Sequence, residues 1–185
     1  MQTLSNAIQV NHCLLKEVVK DAKLLVDATC GNGLDTLFLA RNTQGAHIYA
    51  FDIQQKAIDN TKEITREYAK NISYICDSHI NIKEYVGNKS IDAVLFNLGY
   101  LPEAAHEITT HADTVIKTVD IVKDLLKTNG IISIVAYPGH DEGYNEYLSL
   151  LKYTKMMDKH IFTACWYRLH NHINAPALCW IEKQG

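Results

Sequence analysis

The most informative stretch of the sequence lies between residues 24 and 37, where the run Leu-Leu-Val-Asp leads into a loop with two glycines and then into a helical pattern. Glycines let a backbone approach a ligand closely, and the first turn of a helix presents unpaired N–H groups to an anion. A strand, a loop and a helix in this order predict a site for a nucleotide-like ligand. The candidate ligand-binding residues here are Asp27, Thr29, Gly31, Asn32, Gly33, Asp35 and Thr36.

Two further acidic residues stand at the ends of the second and third predicted strands, Asp52 and Asp77. A carboxylate at the end of the second strand can accept hydrogen bonds from both hydroxyls of a ribose, which favours an adenosine-containing ligand. We expect Ile53 and Ser78 to contact the same ligand. Thr36 stands where the dinucleotide fingerprint Gly-x-Gly-x-x-Gly needs its third glycine, which argues against NAD.

The fourth predicted strand ends in the run Asn-Leu-Gly-Tyr-Leu-Pro, residues 97–102. The side-chain oxygen of Asn97 can accept a hydrogen bond from an N–H group and so orient a nitrogen lone pair, and Tyr100 can stack on a base. We therefore predict that Asn97 and Tyr100 act in catalysis and that Asn97 also contacts the cofactor. Gly99, Leu101 and Pro102 are predicted to contact the substrate.

With these features the sequence resembles the class I S-adenosylmethionine-dependent methyltransferases. An acid and a glycine loop after the first strand, an acid ending the second and an Asp after the third are typical of that family. The matching residues are Asp27, Gly31, Gly33, Asp52 and Asp77. The resemblance implies S-adenosylmethionine as cofactor, whose carboxylate suits the helix N-terminus and whose ammonium and sulfonium tolerate Asp27 nearby. Residues 97–100 are similar to the Asn/Asp-Pro-Pro-Tyr motif of amino-group methyltransferases, but lack both prolines.

The whole chain is similar to a small bacterial family labelled rRNA methylases. Residues 27–36, 96–102 and 171–176 carry this similarity. The family includes a tRNA methyltransferase that converts 5-aminomethyl-2-thiouridine at wobble position 34 into its 5-methylaminomethyl form. The resemblance therefore implies a tRNA anticodon stem-loop as partner, an aliphatic amine as nucleophile, and Asn171 and Asn174 at the rim of the substrate pocket.

An amine nucleophile needs help to lose a proton. With the pKa of a lysine, about 10.4, freeing its lone pair at neutral pH costs roughly 4–5 kcal/mol. Burial beside a positive charge lowers that cost, and an acceptor takes the proton. His140, which follows the fifth predicted strand, is the first candidate for proton handling or substrate contact. The alternative for His140 is a solvated loop histidine.

No metal site is predicted. His106 and His111 are five residues apart, whereas a zinc-peptidase helix needs histidines four apart. His170 and His172 could share one face of a strand, but no third ligand is identifiable. The five cysteines are scattered and form no Cys-x-x-Cys pair, so they support neither a disulfide framework nor a zinc ribbon.

The elements that must position these residues alternate between short β-rich runs and longer amphipathic stretches. Strands are predicted at 24–28, 47–52, 72–76, 93–97, 131–136, 161–167 and 177–181. Helices are predicted at 5–20, with Ser5 as its cap, and at 34–42, 55–69, 113–127 and 141–155. Near-continuous apolar strands indicate a parallel sheet covered on both faces, and the short last connection indicates an antiparallel hairpin. The predicted class is α/β: a single-domain, Rossmann-like class I methyltransferase with a seven-stranded, mostly parallel sheet and a terminal antiparallel hairpin.

The length of 185 residues suits one domain, 1–185, in which residues 1–22 form an N-terminal helix packed on the core. The formal net charge of -3 means that a nucleic-acid surface must come from local clustering. Residues 150–185 contain five basic and two acidic side chains. Lys152, Lys155 and Lys159 have helical spacing, for which a solvated face is the alternative.

No apolar run reaches the length of a membrane span and no secretory signal is visible, so a cytoplasmic location is predicted. We expect no appended RNA-binding domain, which leaves the tRNA contact to loops or to a second subunit; a homodimer is a hypothesis. Two alternatives stay open at this point. One is an rRNA or small-molecule N- or O-methyltransferase, and the other is a non-catalytic RNA-binding protein with the same fold.

Overall fold

A seven-stranded sheet forms the centre of the computed structural model, which describes residues 6–99 and 112–185. The strands are β1 (Leu24–Asp27), β2 (His47–Asp52), β3 (Ile72–Cys76), β4 (Ile91–Asn97), β5 (Leu126–Ala136), β6 (Phe162–Arg168) and β7 (Ala177–Lys183). They lie in the order β3-β2-β1-β4-β5-β7-β6. Strands β1 to β5 are mutually parallel, and β7 runs antiparallel to both of its neighbours. The predicted α/β class with a terminal antiparallel hairpin is confirmed.

Helices cover both faces of the sheet. They are α1 (Ala7–Val19), α2 (Leu34–Asn42), α3 (Gln55–Ile64), α4 (Ile82–Val86), α5 (Ala112–Leu125) and α6 (Asp141–Lys155). One face packs Leu15, Leu39 and Ile58 of α1, α2 and α3. The other face packs Val119 of α5 and Leu150 of α6. Each such side chain contributes about 1.5–3 kcal/mol when fully buried, so the two layers hold the strands rigidly in place.

The central strands β1 and β4 are adjacent although they are far apart in the sequence. From β1 the chain proceeds outward to β2 and β3, and from β4 it proceeds the other way to β5. This reversal leaves a crevice beyond the carboxyl ends of β1 and β4, where open α/β sheets bind ligands. The hydroxyl of Thr29 ties the two ends together: it accepts a hydrogen bond from the Asn97 N–H (2.7 Å) and donates one to the Asn97 carbonyl oxygen (3.1 Å).

Several helix ends differ from the sequence prediction. The third helix ends at Ile64 rather than at residue 69, and a 3₁₀ turn follows at Arg66–Asn71. The hydroxyl of Thr65 bonds back to the Thr61 carbonyl oxygen (2.6 Å) and also contacts the Tyr74 hydroxyl (2.7 Å), which favours the break. At α1 the cap is Asn6, whose side chain accepts a hydrogen bond from the Gln9 N–H (2.8 Å); Ser5 lies outside the described residues.

Other differences lie between predicted elements. The fifth helix ends at Leu125 rather than residue 127, and β5 begins at Leu126 rather than residue 131. Asn129 takes a positive φ of 61° there, a conformation that asparagine tolerates better than most residues. The stretch 79–86, for which the sequence predicted no element, forms a 3₁₀ turn at His79–Asn81 and the short helix α4. No helix of the described residues is long and apolar enough to cross a membrane.

A buried carboxyl on α6 makes stability depend on pH. Glu146 is 8% exposed, its Oε1 has no hydrogen-bond partner among the described residues, and burial raises its pKa to about 8. Because the folded pKa is above the unfolded one, the stabilisation is present at acid pH and is lost as the pH rises through about 8. Glu146→Gln should therefore raise the melting temperature at pH 8.5 but not at pH 5, as measured by thermal unfolding. Glu142→Gln, at an exposed position of the same helix, is the control; equal shifts in both variants would contradict the prediction.

Candidate active site at the sheet switch point

The glycine loop between β1 and α2 is shaped by two backbone conformations that suit glycine. Gly31 and Gly33 have φ values of 50° and 78°. A Cβ at Gly33 would lie 2.8 Å from the Thr61 Cα atom, so α3 also excludes a side chain here. The loop closes with a hydrogen bond from the Gly33 N–H to the Cys30 carbonyl oxygen (2.7 Å), directly before α2 begins. The first-turn N–H groups of α2 therefore face the crevice beyond β1.

Asp27 ends β1 and is almost completely buried. Its carboxylate accepts hydrogen bonds from the Thr36 hydroxyl (2.6 Å) and the Thr29 N–H (3.3 Å). Burial, followed by the charge of Asp35, raises the pKa of Asp27 to about 7, although the two hydrogen bonds act in the opposite direction. A carboxylate in this position favours a nearby cation, because a cation would relieve the cost of its charge.

Asp52 ends β2 and touches the glycine loop. Its two oxygens accept hydrogen bonds from the Gly31 N–H (3.0 Å) and the Gln54 N–H (2.9 Å), while burial raises its pKa. Each carboxylate oxygen has a second lone pair, so both can accept a further bond from a diol. Ile53 is 55% exposed beside it and offers an apolar surface.

Asp77 and Ser78, at the end of β3, are largely engaged within the fold. Hydrogen bonds from Asn81, Tyr85 and the Ser78 N–H lower the pKa of Asp77. The Ser78 side chain accepts from the Ile80 N–H at 3.4 Å at the start of the following 3₁₀ turn. On the glycine loop, Asn32 likewise accepts a hydrogen bond from the Asn60 amide (3.1 Å). Ligand contacts by these three residues stay predictions. At the end of β3 the side chains of Asp77 and Ser78 already make hydrogen bonds within the fold, so the backbone there is the better candidate for a ligand contact.

A chain of hydrogen bonds crosses the crevice at the end of β4. The Asn97 amide nitrogen donates to Asp35 (3.0 Å), and the Asn97 side-chain oxygen accepts from the Tyr137 hydroxyl (2.7 Å). His12 of α1 lies 2.6 Å from the other oxygen of Asp35. Burial, followed by the charge of Asp35, raises the pKa of Tyr137 to about 12, so this phenol stays a donor at neutral pH.

The sequence predicted Asn97 and Asp35 but missed two partners, His12 and Tyr137. Tyr137 stands directly after β5, three residues before His140, and its position at a strand end was the signal that could have found it. His12 lies in the middle of a helix that reads as a core-packing element, and no local signal marks it.

The remaining predicted residues lie on the loops that follow β4, β5 and β6, or outside the described residues. His140 caps α6, because its Nδ1 accepts the Gly143 N–H (3.1 Å), so in the neutral ring Nε2 carries the proton and can donate a hydrogen bond but cannot accept a proton. Asn174 lies against Gly139, with its Cβ 3.5 Å from where a Gly139 Cβ would stand, so the β6–β7 loop reaches the β5 end. Asn171 is exposed in the same loop, and Gly99 lies against the Tyr137 ring. Tyr100, Leu101 and Pro102 lie outside the described residues.

The basic side chains that the sequence places in residues 150–185 fall into two groups. Lys152, Lys155 and Lys159 are exposed. The Lys183 ammonium donates to the carbonyl oxygens of Lys123 and Leu126 instead, and Arg168 donates to the Ile173 carbonyl oxygen. Within residues 6–99 and 112–185, no group of three or more His, Cys, Asp or Glu side chains is arranged to hold a metal ion.

Comparison with known proteins identifies the family to which the chain belongs. A sequence profile described as "Putative rRNA methylase" matches residues 48–183. The chain belongs to this family. It is 30% identical, over 96% of its length and 69% of the relative's, to the chloroplastic tRNA (mnm(5)s(2)U34)-methyltransferase of Arabidopsis thaliana.

Two solved structures of relatives align with this chain over nearly its whole length. A "putative rRNA-methylase" from Clostridium thermocellum is 38% identical, with a TM-score of 0.92 over 98% of this chain and 99% of that one. A "putative methyltransferase" from Streptococcus mutans, crystallised with S-adenosylhomocysteine (SAH), is 34% identical, with a TM-score of 0.87 over 97% of this chain and 99% of that one.

The predicted family, the Rossmann-like methyltransferase fold and the enzyme class are thereby confirmed: the family is one of S-adenosylmethionine-dependent methyltransferases. The non-catalytic alternative loses its support. The cytoplasmic location stays a prediction, since the Arabidopsis relative is chloroplastic. These groups fit S-adenosylmethionine. The buried acid Asp27 suits its positive charge, Asp52 can accept hydrogen bonds from its ribose hydroxyls, and the N-terminus of α2 suits its carboxylate.

The raised pKa of Asp27 predicts a stability effect in the protein without ligand. The neutral acid is the favoured folded form, so the stabilisation present at low pH is lost as the pH rises toward and through about 7. Asp27→Asn should raise the free energy of unfolding at pH 8 by roughly 2 kcal/mol or more, and should have little effect at pH 4. Denaturant unfolding at both pH values measures this, with the exposed Asp124→Asn as control. Destabilisation by Asp27→Asn at pH 8 would contradict this account.

Proposed function

We propose that this protein is a tRNA methyltransferase that N-methylates 5-aminomethyl-uridine or 5-aminomethyl-2-thiouridine at wobble position 34 to the 5-methylaminomethyl form. The observation that carries the proposal is the oriented amide of Asn97 at the end of β4, bonded to Asp35 on one side and to Tyr137 on the other. The substrate class is supported by the tRNA-modifying relative, to which 96% of the chain aligns.

The proposed cofactor site uses the ends of the first three strands. Asp52 accepts the ribose hydroxyls, Ile53 packs against the adenine, and the glycine loop with the α2 N-terminus holds the carboxylate. Asp27 supports the positive charge of the ligand from beneath the loop. S-adenosylmethionine supplies, when bound, an electrophilic methyl group on a positively charged sulfur. Asp77 and Ser78 contribute through their backbone or through their remaining acceptor capacity.

The amine is oriented by the end of β4. Asn97 Oδ1 already accepts one hydrogen bond from Tyr137, and its second lone pair can accept an N–H of the substrate amine. The negative charge of Asp35, one residue further along the network, attracts an ammonium to this point. The amine must lose a proton before it can act as a nucleophile. Burial next to a cationic ligand would lower its pKa in the required direction, and an acceptor or a chain of water molecules would take the proton.

The rim of the crevice is the proposed tRNA contact. Gly99 stands on the loop after β4, and Asn171 and Asn174 stand on the β6–β7 loop. The further predicted contacts Tyr100, Leu101 and Pro102 follow Gly99 in the sequence and lie outside the described residues. The wobble nucleotide lies in a single-stranded loop, so it can be unstacked into the crevice for only a few kcal/mol. The exposed lysines of α6 and the turn after it offer phosphate contacts, whose affinity should fall with salt.

The division of labour between two residues predicts different variant phenotypes. Asp52→Ala should weaken S-adenosylmethionine binding at least about tenfold, because a half-buried acceptor of ribose hydroxyls is lost. Asn97→Ala should lower kcat about 10²-fold, because it removes orientation of the nucleophile, and should weaken S-adenosylmethionine binding less than Asp52→Ala does. Calorimetry and initial-rate measurements separate the two effects. Asp59→Ala and Asn88→Ala, at exposed positions outside the crevice, are matched controls. Full activity of Asn97→Ala would refute its role.

The substrate is tested with a synthetic anticodon stem-loop that carries 5-aminomethyl-2-thiouridine at the wobble position. Incubation with the enzyme and S-adenosylmethionine should add one methyl group to that nucleoside, detected by mass spectrometry of the digested RNA. The same stem-loop with unmodified uridine should gain none, because it lacks the amine. Methylation of an rRNA fragment or of a small amine, with the aminomethyl stem-loop unchanged, would contradict this proposal and favour the rRNA or small-molecule alternative.

A further inference from the structure

We propose that His12, on the N-terminal helix, is a positioning residue for methyl transfer: it holds Asp35 in place, and Asp35 in turn fixes the amide of Asn97 toward the substrate nitrogen. The catalytic part of this inference rests on the proposed function. The geometric part concerns only residues of this chain and can be tested without a substrate.

The first link joins two helices that are separated in the sequence. His12 Nε2 and Asp35 Oδ1 are 2.6 Å apart, and the two side chains are 27% and 11% exposed. A short hydrogen bond to a mostly buried carboxylate is stronger than an exposed ion pair, because little water competes for either group. His12 therefore restricts which way the Asp35 carboxylate can turn.

The second link transmits that restriction to β4. Asp35 Oδ2 accepts from the Asn97 amide nitrogen (3.0 Å), so both carboxylate oxygens are occupied by different donors. An ionised carboxylate only accepts hydrogen bonds, so a flipped Asn97 amide would set its oxygen against Asp35. The flip would also separate Asn97 Oδ1 from the Tyr137 hydroxyl, 2.7 Å away. Loss of His12 would leave Asp35 free to rotate and would loosen this arrangement.

The His12 ring is itself held on two sides. It stacks on Phe38 with ring centroids 4.0 Å apart and planes 8° apart, and Phe38 lies one turn after Asp35 on α2. Its own helix is anchored next to it, since buried Asn11 accepts a hydrogen bond from the Ser133 hydroxyl of β5 (2.6 Å). The ring therefore enters the crevice from a rigid support, as a positioning role requires.

Two variants distinguish positioning from general support. His12→Ala removes the hydrogen bond, whereas the amide nitrogen of His12→Gln can occupy the place of Nε2 and restore it. His47→Ala is the matched control, because His47 bonds Ser73 (2.9 Å) at the opposite, amino-terminal end of β2. Thermal unfolding and calorimetry with SAH verify that each variant is folded.

The first readout needs no substrate. Exchange of the Asn97 side-chain amide protons, followed by NMR and assigned from their absence in Asn97→Ala, should be about tenfold faster in His12→Ala than in the wild type. His12→Gln should restore slow exchange, and His47→Ala should leave it unchanged. Unaltered exchange in a folded His12→Ala protein would overturn the inference whatever the substrate is.

The second readout is kinetic. With the aminomethyl stem-loop, His12→Ala should lower kcat about tenfold while KM and the SAH dissociation constant change less than about twofold, and His12→Gln should recover most of kcat. Equal rates for wild type and His12→Ala would overturn the catalytic part. If the wild type does not methylate this RNA, the proposed function fails, and the exchange measurement still decides whether His12 orients Asn97.

Discussion

The site depends on the meeting of two strand ends at the centre of the sheet. β1 and β4 are neighbours although more than sixty residues separate Asp27 from Asn97, and the hydroxyl of Thr29 bonds both backbone groups of Asn97. Through this link the glycine loop, which would hold the cofactor, and Asn97, which would hold the nucleophile, share one frame. Parallel strands buried on both faces make that frame stiff, because any shift would disturb two hydrophobic layers.

The crevice concentrates acidic charge where the fold would be more stable without it. Asp27 is buried, Asp35 nearly so, and the charge of Asp35 adds to burial in raising the pKa of Asp27. The apolar layers around the crevice offset the cost of burying these charges, and a cationic ligand would reduce that cost. The same negative charge suits both a sulfonium nucleoside and a substrate that arrives as an ammonium. A neutral base in the crevice would not gain from this charge.

The first helix has two functions in this arrangement. Its buried side chains Ala7, Leu15 and Val19 pack on the sheet, and the same helix brings His12 to Asp35. It packs near β4, β5 and β7 and against α2, so His12 reaches the crevice from outside the strand–loop–helix motifs. Covering the core and ordering the site are therefore properties of one rigid element.

The sequence by itself determined the α/β class, a mostly parallel sheet with a terminal antiparallel hairpin, and the approximate position of every long element, because apolar runs and helical spacing are local signals. It also determined that Asp27, Asp52 and Asn97 stand at strand ends. Only the tertiary structure decided that Thr65 ends α3, that His140 caps α6, and that His12 and Tyr137 join Asp35 and Asn97. Those contacts join residues that are far apart in the chain, and hydrogen-bond partners across packed elements depend on how the layers are seated, which no local pattern encodes.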